Sequence, residues 1–108
     1  NLKKNNKIIL PIAAEEFGHT YQSFVILLKS GDRNLRNQIM LEMQKQEIQS
    51  RPGTIAITRT EYNMNKYGLS HGAYPVAEYC EDMSITLPIY PFMTHEEQDI
   101  IISIVNKI

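Results

Sequence analysis

AYPVAEYCEDMSITLPIYPFMTHEEQDIIISIV, running from Ala73 to Val105, is the stretch whose reading decides the fold. Pro75 suits the first position of a helix, where a backbone N–H has no partner anyway. Val76, Tyr79, Cys80 and Met83 then recur at i, i+3, i+4 and i+7, which predicts one apolar helix face. Ile85 to Leu87 reads as a short strand stopped by Pro88. Pro88 and Pro91 bracket an extended turn. Thr94 and Glu97 have the spacing of a capping box, in which the hydroxyl serves the Glu97 N–H and the carboxylate reaches back. Ile101, Ile104, Val105 and Ile108 line one side of the helix that follows.

Working outward, Tyr21 to Lys29 reads YQSFVILLK, a length and composition that fit a strand covered on both faces. Ser30, Gly31 and Asp32 make a turn, with Asp32 placed to cap a helix. Leu35, Ile39 and Met43 form its apolar stripe over about residues 33–46, with Arg36, Gln38, Glu42 and Lys45 outside. Pro52 and Gly53 exclude helix. Gly53 to Arg59, GTIAITR, alternates as a half-buried strand does. Glu61 to Tyr67 predicts one or two helical turns ended by Gly68.

The order is strand, helix, strand, short helix, helix, short strand, helix. It predicts an α+β domain: a small, mostly antiparallel sheet covered by helices on one face. The other sheet face then needs a partner, to which Ile8, Ile9 and Phe17 are assigned. Residues 1–18 read as a lead-in segment with Pro11 and Gly18 as breakers, and residues 19–108 as the domain proper.

Composition narrows the function classes. A chain of 108 residues supports one domain. Its 43% hydrophobic and 21% charged residues are those of a globular protein, not a disordered one. Eleven basic against twelve acidic residues give a net charge of −1, which argues against nucleic acid as a partner. Apolar runs such as Phe24 to Leu28 fall far short of the ~20 residues of a membrane span. The single cysteine, Cys80, forms no internal disulfide and points to a reducing compartment, the cytoplasm. The sequence begins at Asn1 rather than methionine, and the expectation is a piece of a longer protein.

Few residues offer chemistry. Cys80 sits on an apolar helix stripe and reads as a small buried hydrophobe rather than a nucleophile. His19, His71 and His95 lie far apart, with no cysteine or carboxylate at metal-ligand spacing. Glu15–Glu16 and Glu96–Glu97 are adjacent pairs, whose side chains do not face one site on a helix. No phosphate-cradling glycine loop and no GxSxG is present. Arg51 stands before the stiff Pro52–Gly53 bend. Two readings stand for it: a solvated turn arginine, or a planar clamp for a carboxylate or phosphate. His19 leads into the first strand in a similar way.

Taken together, five motifs resemble the C-terminal end of sugar-nucleotide aminotransferases of the DegT–StrS family. They are Tyr74-Pro75-Val76-Ala77-Glu78, Leu87-Pro88-Ile89-Tyr90-Pro91, Thr94-His95-Glu96-Glu97-Gln98, the strand opening His19-Thr20-Tyr21-Gln22-Ser23-Phe24-Val25, and the turn Ile48-Gln49-Ser50-Arg51-Pro52-Gly53-Thr54. The resemblance runs from about His19 onward. It implies the small C-terminal domain of a pyridoxal-phosphate (PLP) enzyme of aspartate-aminotransferase fold, fold type I. Such enzymes move an amino group, usually from glutamate, onto a nucleotide-linked keto-sugar, in amino-sugar and polysaccharide biosynthesis. The PLP and its Schiff-base lysine would belong to a missing N-terminal large domain, and the full-length protein would be a homodimer. No lysine here is assigned to the cofactor, and the chain alone is expected to be inactive. Arg51 becomes the first substrate-binding candidate and His19 the second. Relatives often carry histidines in the strand after the arginine, in a pattern like THAVH; Ile55 and Thr58 stand there instead. The alternative is a non-catalytic interaction or regulatory module reusing the fold.

Overall fold

A computed structural model describes residues 2–107. A 3-10 turn at Leu2–Lys4 precedes β1 (Ile8–Ile9), β2 (Phe24–Leu28), α1 (Arg33–Lys45) and β3 (Arg51–Pro52). A second 3-10 turn, Ile57–Arg59, leads to α2 (Glu61–Tyr67), α3 (Pro75–Met83), β4 (Ser84–Leu87) and α4 (His95–Val105). The strands form one sheet in the order β1-β2-β4-β3, with antiparallel neighbours throughout. The α+β class and the small antiparallel sheet are as expected.

Register sorts the side chains. Ile8 opposes Leu28, Ile26 opposes Ile85, and Phe24 opposes Leu87. Opposed residues share a sheet face, and these meet Ile39 and Met43 of α1, Met83 of α3, and Ile101, Ile104 and Val105 of α4 in one buried core. The other face carries the row Val25, Thr86, Arg51 and the row Ile9, Leu27, Ser84. Of the residues assigned to a partner contact, Ile8 is therefore a core residue. Ile9 and Phe17 are exposed.

Several helix signals hold. The Asp32 carboxylate accepts from the Leu35 N–H at 2.9 Å and caps α1. Gly68 ends α2 in the left-handed conformation, with φ of 63°. Glu97 donates its N–H to the Thr94 hydroxyl at 3.2 Å and accepts the Thr94 N–H at 2.7 Å, completing the capping box of α4. Such a cap contributes about 1 kcal/mol. Of the stripe on that helix, Ile101, Ile104 and Val105 are buried, while Ile108 lies outside the described residues.

Five expectations need correction. β2 begins at Phe24, not Tyr21, because Tyr21 adopts φ of 48°, outside the strand region. Its Val25 and Leu27 are only half-buried, so the strand is fully covered on one face alone. The third strand is Arg51–Pro52 and not Gly53 to Arg59. Beyond Gly53 the backbone turns to side-chain partners: Ala56 N–H reaches the Glu81 carboxylate at 3.3 Å, and Ile55 is left 70% exposed. Arg36 is not on the outer face of α1. It is 5% exposed, at i−3 from Ile39 and i−7 from Met43, on the side packed inward. On α3 only Met83 of the predicted stripe is buried, and Val76 is 75% exposed. That helix is held by its acidic side and by Tyr79, whose hydroxyl donates to the Leu28 carbonyl at 2.6 Å.

Candidate functional site

Antiparallel pairing brings the start of β2, the start of β3 and the end of β4 to one end of the sheet. Arg51 is at this end, opposite Thr86, with an exposed side chain. It borders a depression of about 330 Å³ shared with Gln22, Ser23, Gln49, Ser50 and Thr86. No carboxylate lines this depression, and among the described residues no ion pair engages Arg51. A guanidinium, two amides and three hydroxyls around one hollow form a donor-rich surface suited to a polyhydroxylated anion.

The bend that presents Arg51 is fixed by close packing. A Cβ on Gly53 would fall 2.5 Å from Val25 Cγ1 and 2.6 Å from Ser84 Cβ, so only glycine fits. Beyond it, three acids on α3 anchor the segment. Arg59 donates to Asp82 at 2.9 Å and pairs with Glu81 at 3.5 Å, and Arg33 of α1 bridges the same two carboxylates. Glu78 accepts the Gly72 N–H at 2.7 Å. Burial opposes ionisation of Asp82, yet the hydrogen bonds from Arg33 and Arg59 hold its carboxyl below the usual range. The bond to Asp82 in turn raises the Arg59 guanidinium. Arg36, close by, is pushed down chiefly by burial, and its Nε and Nη1 have no hydrogen-bond partner.

His19 does not line the depression. Its Nδ1 accepts the Tyr21 N–H at 2.8 Å, and its ring lies 4.2 Å from that of Tyr21. Tyr21 in turn stacks on Phe24, with centroids 6.3 Å apart. Ile55 and Thr58 are not in the depression either; the Thr58 hydroxyl is buried without a partner. The sequence reading missed Gln22, Ser23, Gln49 and Ser50. Beyond their place in the two quoted motifs, their signal was polarity next to a strand end.

A second hollow of about 390 Å³ opens on the same end, walled by Phe24, Leu87, Pro88, Tyr90, Phe92 and Ile101. Phe92 is 99% exposed and held at φ of 70°. Tyr90 hydrogen-bonds to Glu97, which raises the phenol; Glu97, held by the Thr94 N–H and then by Tyr90, is lowered.

Among the described residues no group of three His, Cys, Asp or Glu is placed to hold a metal ion, and no helix is long and apolar enough to cross a membrane. A pyridoxal-phosphate site needs a lysine amine directed into a cavity beside an acid for the ring nitrogen. Lys3, Lys4, Lys7, Lys29, Lys45, Lys66 and Lys107 are all exposed, and none borders either hollow. The residues present do not fit that cofactor.

The arrangement is that of the small domain of fold-type I aminotransferases. Spr1654 of Streptococcus pneumoniae, described as a sugar aminotransferase and solved in its PMP-form, superposes with a TM-score of 0.82 at 22% identity. The match covers 94% of this chain and 25% of that one. The aminotransferase TlmJ from Streptoalloteichus hindustanus superposes with a TM-score of 0.78 at 12% identity, over 98% of this chain and 27% of that one. The uncharacterized protein MJ1066 of Methanocaldococcus jannaschii is 26% identical over 102 residues, covering 94% of this chain and 26% of that protein. The chain thus spans about a quarter of the length of these relatives. The family model of the DegT/DnrJ/EryC1/StrS aminotransferases matches residues 1–106, and the chain belongs to that family.

Proposed function

We propose that this chain is the small-domain part of a PLP-dependent aminotransferase that transfers an amino group, from glutamate, onto a nucleotide-linked keto-sugar. The observation that carries the reading is the family match over residues 1–106 in a chain whose lysines all lie at the surface. A large N-terminal domain holds PLP and supplies the reactive lysine, the full-length enzyme is a cytoplasmic homodimer, and this chain alone is inactive. The division into residues 1–18 and a domain from 19 onward belongs to the same proposal, with β1 reaching back across it to pair with β2. The exposed Phe92 and Ile55 support a surface that a further domain covers.

Arg51 is the substrate-side anion clamp. The donor-rich hollow beside it supports that role, since a guanidinium grips a phosphate or carboxylate through two parallel hydrogen bonds. His19, which does not itself line the hollow, is the second substrate-side candidate. Ile55 and Thr58, which stand where relatives carry histidines, lie outside this hollow; if those histidines touch the sugar nucleotide, that contact is changed here.

Borohydride reduction of this chain in the presence of PLP, followed by mass spectrometry, tests the division of labour. No stoichiometric lysine adduct is expected; an adduct on one lysine overturns it. Reading the gene upstream of Asn1 tests the rest. A preceding lysine-bearing domain is expected, whereas an initiator methionine at that point would leave only a non-catalytic module.

A further inference from the structure

We propose that His19 is a positioning residue, acting through Tyr21 on two residues that line the hollow beside Arg51, Gln22 and Ser23; the proposal rests on the reading of that hollow as an anion site. His19 Nδ1 is already committed, since it accepts the Tyr21 N–H at 2.8 Å. Tyr21 is a non-glycine residue at φ of 48°, a conformation that costs free energy unless its surroundings impose it. Three contacts hold it here: the bond from its N–H to the imidazole, and the rings of His19 and Phe24, with centroids at 4.2 and 6.3 Å.

The consequence falls on the residues between. Phe24 is fixed by the sheet, where it opposes Leu87. Tyr21 is fixed by His19. Gln22 and Ser23 span the gap between these two anchors and border the hollow beside Arg51. Pinning both ends of a two-residue span removes conformational freedom that a ligand would otherwise have to freeze. His19 therefore sets the donors of the hollow without touching what they hold.

A backbone acceptor role makes a specific demand. Asparagine at this position accepts from the N–H two residues on through its side-chain carbonyl, although it cannot stack as an imidazole does. His19→Ala removes the acceptor, and His19→Asn restores it.

Backbone 15N relaxation and amide exchange, measured on this chain, read the clasp directly. In His19→Ala the Tyr21 amide loses protection and Gln22 and Ser23 gain mobility; in His19→Asn they stay as in the parent. Titration with inorganic pyrophosphate, followed at Arg51, reads the consequence. Its dissociation constant rises about threefold to tenfold in His19→Ala and returns to within about twofold in His19→Asn. Unchanged Tyr21, Gln22 and Ser23 dynamics in His19→Ala overturn the proposal, as does Asn failing to restore them. If the parent chain shows the clasp but does not bind pyrophosphate, the anion reading of the hollow falls, and with it the functional half of this proposal.

Discussion

Arg59 donates to Asp82 across 2.9 Å, and this contact fastens the bend after β3 to the C-terminal end of α3. Asp82 also receives Arg33, so one carboxylate joins α1, α3 and the 3-10 turn Ile57–Arg59. Its folded-state carboxyl is lowered from 3.8. A lowered carboxyl stabilises the fold above its unfolded value, and that contribution disappears as pH falls through the folded value. Asp82→Ala should therefore cost about 1–2 kcal/mol at neutral pH. Thermal melting of the two proteins from pH 7 down should show the difference intact to about pH 4 and shrinking below it. A difference independent of pH would show that the charge is not what holds the bend.

Gly53 has no room for a methyl group against Val25 and Ser84. Gly53→Ala should lower stability by about 1–3 kcal/mol in urea unfolding, the usual cost of overpacking. It should also shift the NMR signals of Arg51. A neutral result would mean that β3 moves away from β4 without cost.

Arg51 stands in the open hollow without an ionic partner among the described residues. Arg51→Ala should leave stability within about 0.5 kcal/mol. On the proposed function, the same change in a full-length enzyme should raise KM for a nucleotide-linked sugar about tenfold to a hundredfold, the worth of a charged hydrogen bond pair. Arg51→Lys should rescue little, because an ammonium lacks the planar fork. Full activity of Arg51→Ala in steady-state assays would remove Arg51 from the site; full activity of Arg51→Lys would show that charge, not the planar fork, is what the position supplies.

Arg36 has the opposite character: buried, with two nitrogen atoms lacking partners. Replacing it with an unbranched apolar side chain relieves that desolvation. Arg36→Met should raise stability by about 1 kcal/mol by chemical denaturation. A loss instead would reveal that the neighbouring Glu81 and Asp82 depend on its charge.

The parts of this fold legible in the sequence were those written locally. Asp32, Gly68, Pro75, and Thr94 with Glu97 mark helix ends through contacts a few residues away. β4 was legible because Pro88 ends a short apolar run. What failed was tertiary. Ile55 and Ile57 alternate as a strand does, but the ladder was taken by Arg51 and Pro52, a pairing set only by contact with Thr86 and Ile85. Arg36 looks like any surface arginine until α3 arrives beside it, brought by an Arg33–Asp82 bond that links residues 49 apart in sequence. Within the site, Arg51 was marked by the Pro-Gly bend after it. Gln22, Ser23, Gln49 and Ser50 carried no such mark, since loop amides and hydroxyls become a surface only when two strand ends converge.

The strand order carries a consequence for biosynthesis. β4 sits between β2 and β3, although it is the last of the four to be translated. Until Ser84–Leu87 has left the ribosome, β3 has no neighbour and β2 has only the two-residue β1. The nascent sheet therefore closes late, and a stalled or truncated translation product lacking this tetrapeptide exposes open backbone edges to chaperones and proteases.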